Sequence, residues 1–209
     1  MPSIFRILVL AVLSGCARAE AAAPAVVQDD APDLLVQTAT AEVIAILQQD
    51  IASGQPTKVA HLVETKVLPL FDFPHMTSIA VARNWALASQ AQQAALTAEF
   101  RTLLVRTYSV SLSNYRDQQI EYLLQRAASG DTTVTVRSTI RRPGAERITI
   151  DYEMEHTPAG WKVYDIRVAG VSLIITYRST FAALVRDRGV DGLISSLAEK
   201  NRTGRAASG

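Results

Sequence analysis

Trp161-Lys162-Val163-Tyr164-Asp165-Ile166-Arg167-Val168-Ala169-Gly170-Val171-Ser172-Leu173-Ile174-Ile175-Thr176-Tyr177-Arg178-Ser179-Thr180-Phe181 changes its period halfway along. In its first half Tyr164, Ile166 and Val168 alternate with Asp165 and Arg167, the mark of a strand with one buried face. Beyond Gly170 the apolar residues Ile174, Tyr177, Phe181 and Leu184 recur at spacings of three and four, which is a helix period. Gly170 is the natural corner, because it adopts backbone angles that side chains disfavour. A strand therefore turns into an amphipathic helix, with large apolar groups on both sides of the bend. Such a corner closes a core or forms the mouth of a cavity between sheet and helix.

Upstream, the strand pattern repeats. Ile148, Ile150, Tyr152 and Met154 alternate with Thr149, Asp151, Glu153 and Glu155, and Pro158 with Gly160 turns this run into the stretch above. Val134, Val136 and Ile140 alternate with Thr135, Arg137 and Thr139, and Pro143-Gly144 provides the next turn. Ile120 to Gln125 is the remaining strand, with a turn at Ser129-Gly130-Asp131. Four antiparallel strands result, apolar on one face and charged on the other. Setting Ile140 opposite Ile148 keeps both apolar sets on one face and places Arg137 opposite Asp151.

The part before the sheet reads as helices. Asp33 to Ser53 carries Leu34, Leu35, Val43, Ile44, Leu47 and Ile51, with Gly54 as its stop. Thr57 to Val67 is a shorter helix ending before Pro69. Leu68 to Pro74 is a stiff apolar connector, and His75 to Asn84 a third helix. Ser89-Gln90-Ala91-Gln92 is a capping box that opens a long helix to about Tyr115, whose face carries Leu96, Phe100, Leu103, Leu104, Tyr108 and Leu112. At the other end, Gly189 stops one element and Asp191 caps a last helix through Leu193, Ile194 and Leu197. Helices, then a meander sheet, then helices give an α+β fold: a four-stranded twisted antiparallel sheet covered on one face by helices.

The 209 residues suit one domain with short appendages, and 48% apolar content with charges of both signs fits a globular chain. Arg6, the apolar run Ile7 to Leu13 and Ala17-Arg18-Ala19 make a secretory signal over residues 1–19, too short to span a bilayer. Residues 20–32 read as a flexible leader, 33–201 as the single domain and 202–209 as a disordered tail. Leu13-Ser14-Gly15-Cys16 also fits a lipoprotein signal, so an anchor at Cys16 is the alternative to soluble release. Cys16 is the sole cysteine, and cleavage after Ala19 leaves no disulfide to staple the fold. Losing Arg6 and Arg18 takes 21 basic residues to 19 against 20 acidic ones, a net charge near −1 that argues against nucleic acid as a partner.

The chain has no Gly-rich phosphate loop, HExxH, cysteine pair or G-x-S-x-G. His61, His75 and His156 are scattered, which favours surface or capping roles over a metal site. Asp151, Glu153 and Glu155 fall on the polar sheet face. Arg126, Arg137, Arg141, Arg142 and Arg147 gather near the hairpin, either as an ordinary mixed face or as a docking patch.

Val81-Ala82-Arg83-Asn84-Trp85, with Gln93, Phe100, Leu104, Tyr108, Leu112 and Tyr115, resembles the central helices of MlaC-type proteins, the toluene-tolerance (Ttg2-like) family. Tyr164-Asp165-Ile166, Gly170-Val171-Ser172-Leu173, Tyr177-Arg178-Ser179-Thr180-Phe181 and Gly189-Val190-Asp191-Gly192-Leu193-Ile194 extend the resemblance over about Asp33 to Asn201. It implies a fold similar to nuclear-transport-factor-2-like proteins with additional helices and an apolar cavity between sheet and helices. It also implies a non-enzymatic periplasmic phospholipid carrier of the Mla lipid-asymmetry pathway, monomeric and without cofactors. Its implied partners are diacyl phospholipid, an outer-membrane lipoprotein complex, and an inner-membrane ABC transporter with its membrane-anchored lipid-binding subunit. The lipid-contacting residues are then expected to be Leu68, Phe71, Leu104, Tyr108, Leu112, Ile150, Tyr152, Ile166, Val168, Val171, Leu173 and Tyr177. Tyr108 and Val171 lie at motif positions resembling the family's pocket lining. Two alternatives stand beside the carrier. One is a cavity enzyme with Asp165 as acid/base and Tyr152 or Tyr177 as donor; the other is an interaction module anchored through Cys16.

Overall fold

The computed structural model describes residues 31–53, 63–113, 119–123, 130–141, 144 and 146–206. Helix α1 spans Pro32–Ser53, followed by short turns at Val63–Val67 and Leu68–Leu70. Helix α2 is Phe73–Val81 and α3 is Gln90–Ser113. Strands β1 (Gln119–Leu123), β2 (Thr133–Arg141), β3 (Ile148–Thr157), β4 (Gly160–Val168) and β5 (Val171–Ser172) come next, and α4 (Arg178–Ala206) closes the chain.

The sheet is an antiparallel meander in the order β1-β2-β3-β4-β5. Ile140 faces Ile148 and Arg137 faces Asp151, the register that apolar matching predicts. Five strands replace the expected four. Ala169 (φ 49°) and Gly170 (φ 80°) both lie in the left-handed region, as a two-residue hairpin turn requires. The chain therefore folds back on β4 instead of entering the helix at once. Its return strand is two residues long, too short to show a period.

A bulge in β4 is the second departure from strict alternation. Tyr152 pairs with Ile166 and Met154 with Val163, so Tyr164 and Asp165 together oppose Glu153. The phase of β4 shifts there: Trp161 and Val163 are buried before the bulge, and Ile166 and Val168 line the concave face after it. Tyr164 stacks on His75 of α2, with centroids 4.7 Å apart.

The second expected helix is described only as the turn Val63–Val67, and its residues 57–62 lie outside the described part. The connector after it docks on the outer edge of β4. Phe71 forms a parallel bridge with Val163, and the Asp72 amide donates to the Val163 carbonyl at 2.9 Å. Asp72 then caps α2, its carboxylate accepting from the His75 amide at 2.8 Å. The capping box forms as read: the Gln92 amide donates to Ser89 Oγ (3.2 Å), and the Ser89 amide donates to Gln92 Oε1 (2.9 Å). Gly189 (φ 68°, ψ −178°) is non-helical and divides α4 at a kink into two helices, as its place in the sequence suggests, and the second runs on to Ala206 past the expected end at Asn201.

Ala82, where α2 ends, has φ 54° and ψ −132°, a region that favours glycine. Such a residue stores roughly 1–3 kcal/mol, of which greater chain entropy in the unfolded state offsets part on going to glycine. Ala82→Gly is therefore expected to stabilise the fold by about 1 kcal/mol. A urea midpoint that moves down would contradict this.

Two apolar clusters hold the molecule. The helical one contains Met76, Leu96, Phe100, Leu104, Ile174, Phe181, Leu193 and Leu197. The second contains Val36 of α1 with Val136, Met154, Trp161 and Val163 of the sheet. They remain separate. Among the described residues Phe71 alone packs against both. The opposite sheet face is polar, with ion pairs Arg137–Asp151 (2.7 Å), Arg141–Glu121 (2.9 Å) and Arg167–Glu153 (3.3 Å). Partly exposed pairs of this kind contribute at most about 1 kcal/mol each. Asp151 of β3 and Glu121 of β1 thus neutralise Arg137 and Arg141 across the ladder, while Arg126 and Arg142 lie outside the described residues.

Candidate functional site

The seam between the two clusters is an open-ended cavity of about 410 Å³, within the 300–1,000 Å³ usual for ligand sites. Helix α1 contributes Val36, Ala39, Thr40, Val43 and Ile44 to its wall. The connector and α2 add Val67, Leu68, Leu70, Phe71, Phe73 and Met76, and α3 adds Leu104, Val105 and Tyr108. From the sheet come Ile120, Ile140, Ile150, Tyr152, Val163, Ile166 and Val168, with Leu173 and Ile174 beyond β5. Among the described residues no charged side chain is in this wall, and its hydroxyls belong to Thr40, Tyr108 and Tyr152.

Nine of the twelve expected contact residues meet here: Leu68, Phe71, Leu104, Tyr108, Ile150, Tyr152, Ile166, Val168 and Leu173. Three do not. The Leu112 side chain lies outside the described part. Tyr177 packs instead in the helical cluster, its ring 5.1 Å from Phe100 and 5.6 Å from Phe181. Val171 pairs with Val168 and so shares its face, but it is 58% exposed and stands at the rim rather than in the wall. The hairpin carries it one step past the cavity, a consequence of the extra strand. The α1 residues and Val163 were missed as cavity-wall residues. Their apolar pattern was visible, but the packing of α1 across the concave face depends on tertiary contacts.

The cavity has a closed and an open end. The buried cluster of Val36, Val136, Met154, Trp161 and Val163 closes one end of the concave face, with Val36 and Val163 reaching the cavity wall, whereas Ile148 on the same face of β3 is 42% exposed. Burial holds the tyrosines neutral. The Tyr152 hydroxyl is pushed up to about 12 chiefly by burial, with the Ser138 and Thr40 hydroxyls drawing it slightly back. Tyr108 is likewise raised to about 12 by burial and by the neighbouring Tyr177.

A phenol whose folded pKa exceeds its ordinary value of 10 adds stability that is intact below pH 10 and is lost as pH rises through 12. Alkaline titration followed at the phenolate absorbance should thus show a late group near pH 12, with stability falling from about pH 10. Tyr152→Phe should remove one of the two tyrosines that titrate late, leaving Tyr108 as the other. A protein in which all tyrosines titrate together near 10 would contradict the burial.

Asp165 is only 4% exposed, and one of its carboxylate oxygens, Oδ1, has no hydrogen-bond partner. It pairs with Glu153 on the face opposite Tyr152 and is not part of the cavity wall. The acid/base arrangement of Asp165 with Tyr152 or Tyr177 is therefore not assembled. Among the described residues no group of three His, Cys, Asp or Glu is placed to hold a metal. No described helix is long and apolar enough to cross a membrane.

An antiparallel sheet and a helical layer that enclose an uncharged chamber define an α+β protein built around an apolar binding cavity. The chain belongs to the MlaC family, whose model, described as "MlaC protein", matches residues 37–199. It is 22% identical over 176 residues to the intermembrane phospholipid transport system binding protein MlaC of Haemophilus influenzae, covering 82% of each chain. Its fold is similar to that of a Ralstonia solanacearum phospholipid-binding protein solved in complex with a phospholipid. That likeness has a TM-score of 0.72 at 41% identity, over 82% of this chain and 97% of the other.

Proposed function

We propose that this protein is a periplasmic phospholipid carrier, moving lipid between outer and inner membranes in an Mla-type asymmetry pathway by holding acyl chains in the cavity. The observation that carries this reading is the wall itself: an uncharged chamber closed by aliphatic and aromatic side chains from both layers. The kinship with a protein solved around a phospholipid supports it. Two acyl tails, roughly 30 methylenes at about 0.8 kcal/mol each, gain on the order of 20 kcal/mol gross on leaving water. Escape from a bilayer is accordingly slow, and a carrier has to offer a dry surface of similar apolarity. It needs no nucleophile.

In this reading residues 1–19 are removed as a signal and residues 33–201 form the single nuclear-transport-factor-2-like domain. The donor and acceptor are an outer-membrane lipoprotein complex and an inner-membrane ABC transporter with its anchored lipid-binding subunit. Mass spectrometry of natively purified mature protein tests it, with organic extraction of whatever accompanies the chain. Near-stoichiometric diacyl phospholipid is expected. A clean apo mass, together with failure to take up lipid from vesicles, would remove the reading.

A further inference from the structure

The connector that leads into α2 belongs to both layers. Phe71, Phe73 and Met76 line the cavity and pack with the helical cluster. The same segment is tied by polar contacts to the sheet. Lys162 Nζ donates to the Pro69 carbonyl at 2.6 Å, and the Asp72 amide donates to the Val163 carbonyl at 2.9 Å. One turn further on, His75 Nδ1 meets Glu155 Oε1 of β3 at 2.5 Å, and its ring stacks on Tyr164 of β4. Spreading the helices from the sheet around an entering acyl chain strains these ties. The apolar side chains follow the helices, while the backbone stays fastened to β4.

The pair of His75 with Glu155 is the tie that carries charge. Glu153 and Glu155 of β3, Lys162, Tyr164, Asp165 and Arg167 of β4, and Asp72 of the connector surround it. Most of them are engaged elsewhere. Arg167 holds Glu153 at 3.3 Å, and Thr135 donates to the same carboxylate at 2.9 Å. Asp72 accepts from the His75 amide, Lys162 from β4 reaches Pro69, and Asp165 is buried. Side-chain exposures of 36% for His75 and 26% for Glu155 leave the pair open to protons from solvent. An imidazole ordinarily gains its proton as pH falls from 8 to 5, and its bond to a carboxylate then becomes charge-assisted.

We infer that His75 and Glu155 are positioning residues whose pairing straps the connector wall of the cavity to the sheet and sets how fast a bound lipid leaves. This rests on the carrier reading above. Neither side chain touches the lipid; both act through Phe71, Phe73 and Met76. The strap is firmest when the imidazole is charged, so it holds in mild acid and slackens as pH rises.

The test loads the full mature chain with a tail-labelled phosphatidylglycerol and times its exit to phosphatidylcholine vesicles at about pH 5.5 and about pH 8, across the usual range of histidine. Exit is expected to be about threefold faster at the higher pH, within the roughly fivefold that one partly exposed pair allows. Glu155→Gln and His75→Gln should each release lipid at the fast rate at both pH values. Arg137→Gln breaks an ion pair on the same sheet face that does not involve the connector, and it should keep the pH profile of the parent. A parent rate indifferent to pH, or a profile that survives Glu155→Gln, overturns the inference while leaving the carrier intact. So does an equal acceleration in Arg137→Gln, which would reduce the pair to general stability. Failure to load any lipid overturns both.

Discussion

Ile150→Glu is expected to empty the cavity while leaving the fold in place. Ile150 lines the wall on β3 between Ser138 and Val168, and it is partly exposed because it sits toward the open end. A carboxylate there keeps access to water when the cavity is vacant but loses it once an acyl chain lies against it. Burial of an unpaired charge is disfavoured by several kcal/mol, so lipid recovered with the protein should fall by at least tenfold, the equivalent of about 1.4 kcal/mol. The paired control is Val171→Glu. At 58% exposure its charge stays solvated, and loading should remain close to that of the unaltered protein. Equal loading of Ile150→Glu and the parent would place the lipid elsewhere. Global unfolding would make Ile150 a plain core residue.

Phe100→Ala should have the largest effect on stability. Phe100 is fully buried, and its ring meets Tyr177 at 5.1 Å and Phe181 at 5.2 Å in edge-on arrangements. Truncation removes both aromatic contacts and leaves a void that α3 and α4 are too tightly packed to fill. The expected loss is about 3–5 kcal/mol, a large part of the roughly 5–15 kcal/mol that holds a domain together. Denaturant unfolding checks this, with the midpoint dropping steeply. A loss below about 1 kcal/mol would mean that the site collapses freely.

The sheet and its register were legible because period 2 is unambiguous when one face is buried: Ile140 and Ile148 could share a face in only one phase. The capping box was legible because Ser89 and Gln92 satisfy each other locally. What local pattern could not show was the bulge at Tyr164-Asp165, which alters the phase of β4 without altering its composition. Nor could it show β5, where two residues pair because Ala169 and Gly170 fold the chain back. Val171 was misplaced for that reason. Tyr177 was misassigned because its helical spacing is the same whether it faces ligand or core. The contribution of α1 to the wall rests on long-range packing, so Thr40 gave no signal among ordinary helix residues.

The two apolar clusters meet through Phe71, and the space between them is the cavity. For a carrier, the bound chain then serves as the missing middle layer of the protein's own interior. Binding energy and fold stability become linked quantities, since a ligand that binds only the native state raises its unfolding free energy with occupancy. The linkage is reciprocal. A membrane partner that withdraws the lipid also loosens the grip of sheet on helices, and whatever loosens that grip weakens the hold on the lipid. The melting temperature of the protein would consequently report how full it is, and delivery would leave behind a softer molecule that regains its stiffness only with the next load.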